Sequence, residues 1–489
     1  MASRGGYISE ETILVAGVFK WAILATAIGI IVGFSTGIFL KALEWSTGLG
    51  AANPTYFLLL PVALAVNVFI IKYIYPESNV HTTDKMIEYV HKLKRIPIMS
   101  IPKAFLMPII TLASGGSAGK EAPAANIGAG LGSLFSEIIN LTNEDRRKLV
   151  ICGISAGFAS VFGAPIAGAV FGVEVLFMGS ILYEILLPAF IAGIISYQIS
   201  AAMGITYFYQ PISVAPVFSN SFFMALIGSG LFFGICSAFM IETFKYGRKL
   251  SDRIRLWAPF KAFVAGFVLV ILTLAFSTQY LGLGLETIQS SLEGQPVEPY
   301  SFVMKTIFTS VTLNFGGAGG VITPTLFVGA TSGTLFGQMF NEDLATFAAI
   351  GLVALLAGVT STPIASSILA LELFGPTIAP YATIACIISF IVSGNRTIFP
   401  SQVSTVKKTY VPIDIDEEVG RVRPHLEKGY KALKKAPSVI AESMSGPPEK
   451  FEKYSFRKPK SKFSFEGLED SFRDNLEKLR KLRKKKKED

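Results

Sequence analysis

Charge is what this 489-residue chain has least of. Asp, Glu, Lys and Arg together make up 16% of it, and histidine, tryptophan and cysteine each occur three times. Each shortage excludes something. With 51% hydrophobic residues and a mean hydropathy of +0.52, the composition is that of a multi-spanning membrane protein and not of a soluble enzyme. Cys152, Cys236 and Cys386 stand singly in apolar segments without CxxC or Cys/His spacing, which argues against a disulfide framework or a zinc site. They read as small buried apolar residues. His91 falls in a basic loop and His425 near the C-terminus, so the spans hold no His/Asp/Glu or Ser/His cluster for a membrane-embedded enzyme. No metal and no organic cofactor is expected.

What the chain has is long apolar runs and well-placed basic residues. Residues 13–45 and 55–75 form two apolar segments, and the run from Ile13 is too long for the core of a signal peptide. The net charge of +9 comes from short loops and the C-terminal end, so it reports membrane topology before nucleic acid, and no nucleic-acid partner is expected. Lys85, Lys92, Lys94 and Arg95, then Arg146-Arg147-Lys148, the stretch from Lys245 to Arg255 and everything from Arg396 mark the cytoplasmic side, with both termini there. The acidic loop 286–298 and residues 205–221 belong outside. Several further apolar pieces are broken by Gly or Pro: 98–113, 122–140, 149–160, 164–178, 322–340, 350–360 and 362–374. Many fall short of the ~20 residues that span the hydrocarbon, and broken backbone at that depth must be buried in protein or line a cavity.

The most unusual stretch in the apolar part is Gly116-Ser117-Ala118-Gly119-Lys120-Glu121-Ala122-Pro123, which puts a lysine and a glutamate among glycines. Intramembrane charge generally faces a bundle interior or a water-filled path. A glycine turn that opens a helix at a proline presents N–H groups and a positive helix end, a natural anion cradle. A phosphate-binding loop is a poor fit: Ser114 stands where the first glycine belongs, and Glu121 replaces the magnesium-touching Ser/Thr.

The motif has an echo. Gly116, Gly119, Pro123, Gly128, Ala129, Leu134 and Phe135 recur 201 positions later as Gly317, Gly320, Pro324, Gly329, Ala330, Leu335 and Phe336. Ala164-Pro165-Ile166-Ala167 through Glu174 recurs 198 positions later as Thr362-Pro363-Ile364-Ala365 through Glu372. Two such halves point to an all-α integral membrane fold: two antiparallel, inverted helical repeats with broken helices around a midplane anion site. The amides around Lys120, Glu121, Val321 and Ile322 would then ring one dehydrated anion.

These residues resemble the CLC chloride channel and transporter family. Gly119-Lys120-Glu121-Ala122-Pro123 is similar to its GxEGP-type motif, Phe162-Gly163-Ala164-Pro165-Ile166-Ala167-Gly168 to its FxAPxAG signature, and Gly319-Gly320-Val321-Ile322-Thr323-Pro324 to its GxFxP-type motif. The resemblance covers residues 13–400, with repeats at about 55–200 and 222–400; 1–12 is read as an N-terminal segment and 401–489 as a charged tail without paired CBS domains. It implies a homodimer in membrane lipid, each subunit with its own pathway for chloride and similar anions. It implies that Glu121 is a gate whose carboxylate competes with the anion and is also its proton-carrying group.

Elsewhere the chain departs from the pattern. Val80-His81-Thr82-Thr83-Asp84 stands where the family often has Gly-Ser-Gly-Ile-Pro, so His81 would replace a serine beside the anion, with Thr82 next to it. A neutral histidine donates one N–H, and a protonated one adds charge; a bystander loop histidine is the other reading. Phe399 occupies the place of a central tyrosine and lacks its hydroxyl, and Ile322 replaces a usual Phe while keeping its amide. Val175 stands where many exchangers carry an inner proton-transfer glutamate, so uncoupled chloride conduction is favoured over proton antiport, with antiport as the alternative. The neighbouring Glu174 reads as structural. In the tail, residues 463–479 have an amphipathic pattern and Lys484 to Lys487 suit anionic lipid, although a solvated tail fits equally well.

Overall fold

Apolar runs buried in lipid must satisfy every backbone N–H and C=O internally, and the helix is the local way to do it. The computed structural model describes residues 4–51, 53–74, 83–178, 182–207 and 220–404; His81, Thr82 and all of the tail beyond 404 lie outside them. Among the described residues there are sixteen α-helices. The first eight are α1 (Arg4–Ala51), α2 (Leu60–Phe69), α3 (Thr83–His91), α4 (Ser100–Ala113), α5 (Glu121–Ile138), α6 (Asn143–Phe162), α7 (Pro165–Glu174) and α8 (Tyr183–Ala202). The second eight are α9 (Asn220–Arg253), α10 (Ala258–Ala275), α11 (Leu285–Leu292), α12 (Ser301–Asn314), α13 (Ile322–Phe340), α14 (Leu344–Thr360), α15 (Pro363–Phe374) and α16 (Ala379–Val392). Two dipeptide strands, β1 (Phe177–Met178) and β2 (Val403–Ser404), pair in parallel.

Among the described residues, five helical stretches are long and apolar enough to cross a membrane: Leu14–Gly48, Tyr56–Ile74, Tyr183–Ala202, Asn220–Arg253 and Ala258–Ala275. Others, such as α4, α7 and α15, are too short to do so alone. Their ends are chemically marked. Pro165 and Pro363 open α7 and α15, where a missing N–H does no harm, and left-handed Gly163 and Ser361 close α6 and α14. Cys152, Cys236 and Cys386 are buried free thiols, as small apolar residues would be.

The two halves are inverted repeats, and the pairing extends further than the sequence motifs suggested. Helix α4 maps onto α12 with an offset of 201, and Gly29 and Gly33 of α1 map onto Gly230 and Gly234 of α9 with the same offset. A Cβ on Gly29 or Gly33 would lie 2.8 Å from a carbonyl oxygen of α8; on Gly230 or Gly234 it would lie 2.9 or 2.5 Å from a side chain of α16. The first repeat therefore begins with α1 and not near residue 55. Residues 4–12, expected as a separate terminal segment, continue the backbone of that helix.

The offset falls to 198 between α5 and the body of α6. Gly132 packs on the carbonyl of Leu149, as Gly333 packs on that of Phe347. The three extra residues lie in the first turns of α6, where the chain reads Asn143-Glu144-Asp145-Arg146-Arg147-Lys148. This explains the two offsets seen in the sequence.

Where α5 meets α6, the backbones touch at Gly128 and Gly153: a Cβ on Gly128 would come within 2.0 Å of the Gly153 oxygen. A Gly128→Val substitution must pry the two helices apart and should destabilise the protein by about 2 kcal/mol or more. Its thermal unfolding in detergent, followed by size-exclusion recovery, should fall well below wild type; an unchanged profile would mean that this contact is loose.

Candidate functional site

The two glycine turns, 201 residues apart, meet. Gly119 N–H donates to the Gly320 oxygen and Gly320 N–H donates to the Gly119 oxygen, each at 2.7 Å. A local two-fold axis passes between them, and side chains repeat the reciprocity. Ser117 N–H donates to Thr312 Oγ1 at 3.2 Å, while Ala318 N–H donates to Thr111 Oγ1 at 2.9 Å. Glycine is required at this crossing: a Cβ on Gly119 would lie 2.8 Å from Glu121 Oε2 and Thr323 Oγ1, and Gly319 has φ +154°.

The bridge sets the N-termini of α5 and α13 side by side. Half-buried Lys120 precedes α5, and Val321, 7% exposed, precedes α13, whose first residue Ile322 is fully buried. Glu121 is 2% exposed and crosses to the other repeat. Its carboxylate accepts from Thr323 N–H at 3.1 Å and from Thr323 Oγ1 at 2.7 Å and 2.5 Å. A negative group thus sits on the positive end of α13. The structure therefore brings Lys120, Glu121, Val321 and Ile322 together, and it adds Thr323, which sequence reading passed over because motif comparison drew attention to Ile322.

A second pair of carboxylates uses the same device symmetrically. Glu174 accepts from Ile364 N–H at 3.1 Å and Ala365 N–H at 2.7 Å; Glu372 accepts from Ile166 N–H at 3.0 Å and Ala167 N–H at 2.7 Å. Each caps the short helix of the opposite repeat, which agrees with the structural reading of Glu174. Val175, 1% exposed, follows Glu174 at the end of α7.

Phe399, 4% exposed, is held by a polar seam. Ser401 N–H donates to Asp84 Oδ1 of α3 at 2.7 Å, Ile398 N–H donates to the Val359 oxygen at 3.1 Å, and Gln402 Nε2 donates to the Val175 and Thr360 oxygens at 2.9 and 2.8 Å. The segment 398–402 is thereby tied to α3, α7 and α14. The sequence had pointed to Phe399 but not to Asp84 or Gln402, whose roles depend on partners far along the chain. His81 and Thr82 immediately precede α3 and lie outside the described residues.

Two buried lysines also escaped sequence reading. Lys305 of α12 is fully buried and donates to the carbonyl oxygens of Tyr280, Leu281 and Gly282 at 3.2, 3.4 and 2.9 Å, with the Phe327 ring 4.9 Å away. Lys103 of α4, at nearly the equivalent repeat position, lines a small pocket with Asn126, Pro123 and Gly319, next to the glycine bridge. Asn126 Oδ1 there has no hydrogen-bond partner among the described residues. The available signal was a lone Lys in each of two matching apolar helices.

Residues 62–394 match the family model described as voltage gated chloride channel. The chain is 34% identical over 403 residues to a protein of Pseudomonas syringae pv. tomato named chloride/fluoride channel protein, covering 80% of this chain and 88% of that one. It is 26% identical over 406 residues to an Escherichia coli voltage-gated ClC-type chloride channel, ClcB, covering 77% and 96%. Among solved structures, a CLC-type fluoride/proton antiporter is similar with TM-score 0.75 and 25% identity over 79% of this chain and 98% of that one. A slow cyanobacterial Cl⁻/H⁺ antiporter is similar with TM-score 0.66 and 20% identity over 76% and 94%.

The Asp84 clasp can be tested alone. A charged acceptor on a backbone N–H is worth about 1.5–3 kcal/mol, so in Asp84→Ala the amides of residues 398–402 should exchange with solvent hydrogen about tenfold faster or more. Exchange at the wild-type rate would remove Asp84 as their anchor.

Proposed function

We propose, for a chain that belongs to the voltage-gated chloride channel family, CLC, that it carries small anions, chloride and fluoride among them, through a pathway gated by Glu121. Members of this family are channels or transporters and not enzymes, and the chain is an integral membrane protein. The observation that carries the reading is the Glu121 carboxylate on the N-terminus of α13. An anion stripped of water needs hydrogen-bond donors, and the amides at Val321, Ile322 and Thr323 with those at Lys120 and Glu121 are such donors. While ionised, the carboxylate competes for them. Protonation removes its charge and its claim on the helix end, so the anion takes its place.

Uncoupled conduction is the mode we favour. Val175 cannot carry a proton, and both oxygens of Glu174 are engaged by the amides of α15. The second reading, anion/proton antiport, is favoured by the similarity to a CLC-type fluoride/proton antiporter. It requires protons to reach Glu121 from the inner side without an inner carboxylate. The assembly we infer is the homodimer that the family implies, with one pathway per subunit. Lysine and arginine at 92–95 and in the first turns of α6, at 146–148, argue for termini on the cytoplasmic side. His81, Thr82 and Phe399 remain proposed inner contributors to the anion path.

Liposomes under an anion gradient, with voltage clamped by potassium and valinomycin, test this directly while chloride or fluoride and external pH are recorded. Wild type should pass anion faster as pH falls, without uphill proton movement; proton uptake at a fixed ratio would favour antiport. Glu121→Gln should raise anion flux at neutral pH severalfold and flatten its pH response, and an unchanged rate and profile would rule out Glu121 as the gate. Glu174→Gln should lower stability by about 1–3 kcal/mol and leave the proton-to-anion ratio untouched; a changed ratio would make Glu174 a proton site.

A further inference from the structure

We propose that a phosphate group binds in a basic pocket between the end of α3 and the start of α6, presented there by an anionic lipid headgroup or as free phosphate. The pocket is a shallow, solvent-open depression lined by Lys94, Asn143, Arg146 and Arg147, with Tyr89 and Val90 as walls. The 18 residues of α5, about 27 Å of helix, run between Glu121 and this end of the molecule.

The pocket is built and not incidental. Leu93 adopts a left-handed conformation with φ 52°, which turns the chain back so that Lys94 N–H donates to the Tyr89 oxygen at 3.0 Å. Arg146, 7% exposed, donates from its guanidinium to the Leu93 oxygen at 2.8 Å and fixes that turn. Arg147 lies over the Phe177 ring at 5.3 Å, and its Nε is buried without a hydrogen-bond partner among the described residues. A buried donor in that state is unfavourable, and a phosphate oxygen is the acceptor that suits a guanidinium best.

The charges around the pocket point the same way. Among the described residues, Glu144 is the one carboxylate paired with any of the three cations; it stands 4.0 Å from Arg147 with its side chain 66% exposed. The neighbouring carboxylates are engaged elsewhere: Asp145 with Lys20 at 2.7 Å, Glu184 with Lys148 at 2.6 Å, and Glu88 with Lys85 and Lys92 at 2.9 and 2.6 Å. The level in the membrane also fits. Lys20 and Lys148 flank the Trp21 ring at 5.5 and 5.8 Å, the arrangement of an indole at the headgroup boundary. Basic pockets between helices at that level suit lipid phosphates.

The test is native mass spectrometry of delipidated full-length protein titrated with phosphatidylglycerol, with phosphatidylcholine and with inorganic phosphate. Wild type should hold one phosphatidylglycerol per chain, with binding about tenfold weaker in Arg147→Gln and in Lys94→Gln. Lys94 is exposed, so that variant leaves the fold intact even if Arg147→Gln does not. Lys148→Gln, outside the pocket, should bind as wild type. Displacement of the lipid by millimolar phosphate would identify soluble phosphate as the ligand, and its failure would identify the lipid; either supports the site. Equal lipid and phosphate binding by wild type and Lys94→Gln, or an equal loss in Lys148→Gln, would overturn it.

Discussion

Two hydrogen bonds between Gly119 and Gly320 hold the centre of this molecule, and most of what surrounds them follows from the need to make them. Two helices that end inside a membrane leave peptide groups that no water can satisfy, so the broken backbone of one repeat must satisfy that of the other. The reciprocal bridge does this with bare backbone, and Ser117 with Thr312 and Ala318 with Thr111 extend it outward. Side chains at the crossing would separate the turns. Glycine there is a requirement of closeness, and closeness is what aligns the N-termini of α5 and α13.

Around the bridge, symmetry is kept where it stabilises the fold and broken where chemistry is expected. Glu174 and Glu372 cap one another's partner helices in mirror fashion. At the axis the rule fails on both members of the pair: the repeat equivalent of Glu121 is Ile322, and that of Thr323 is Ala122. One carboxylate therefore faces one helix end, with nothing reciprocal. Two carboxylates would leave no donor set for an anion, and none would leave the donors without a competing charge. The exchange of places between anion and side chain proposed above needs one such group and not two.

Much of this was legible in the sequence, because glycine turns, prolines at helix starts and a 201-residue offset are local or periodic features. The family and the inverted-repeat fold followed from them. The first repeat's true start did not: α1 and α9 are related through glycines buried against α8 and α16, and four glycines in apolar helices carry little signal of their own. Thr323, Asp84 and Gln402 were missed for another reason. Each bonds to a residue 202, 317 or 227 positions distant, and no spacing rule reaches that far. Glu174 was singled out in the sequence because its repeat partner, Glu372, was visible there.

The distribution of buried charge gives the interior its sign. Glu174 and Glu372 rest on helix N-termini, so their charge is answered by peptide dipoles. Lys305 is answered only by carbonyl oxygens, which solvate a cation without cancelling it, and no carboxylate stands beside it among the described residues. Lys103 lines the pocket on the other side of the glycine bridge, and Lys120 stands at the start of α5. Beside Lys120 and on the N-terminus of α13 stands Glu121, a carboxylate that, unlike Glu174, has no counterpart in the other repeat. Electrostatic interactions are strongest where water is excluded, so neutralising that group leaves a site that is positive from both sides. On the gating proposed for Glu121, that is the state in which the site takes an anion.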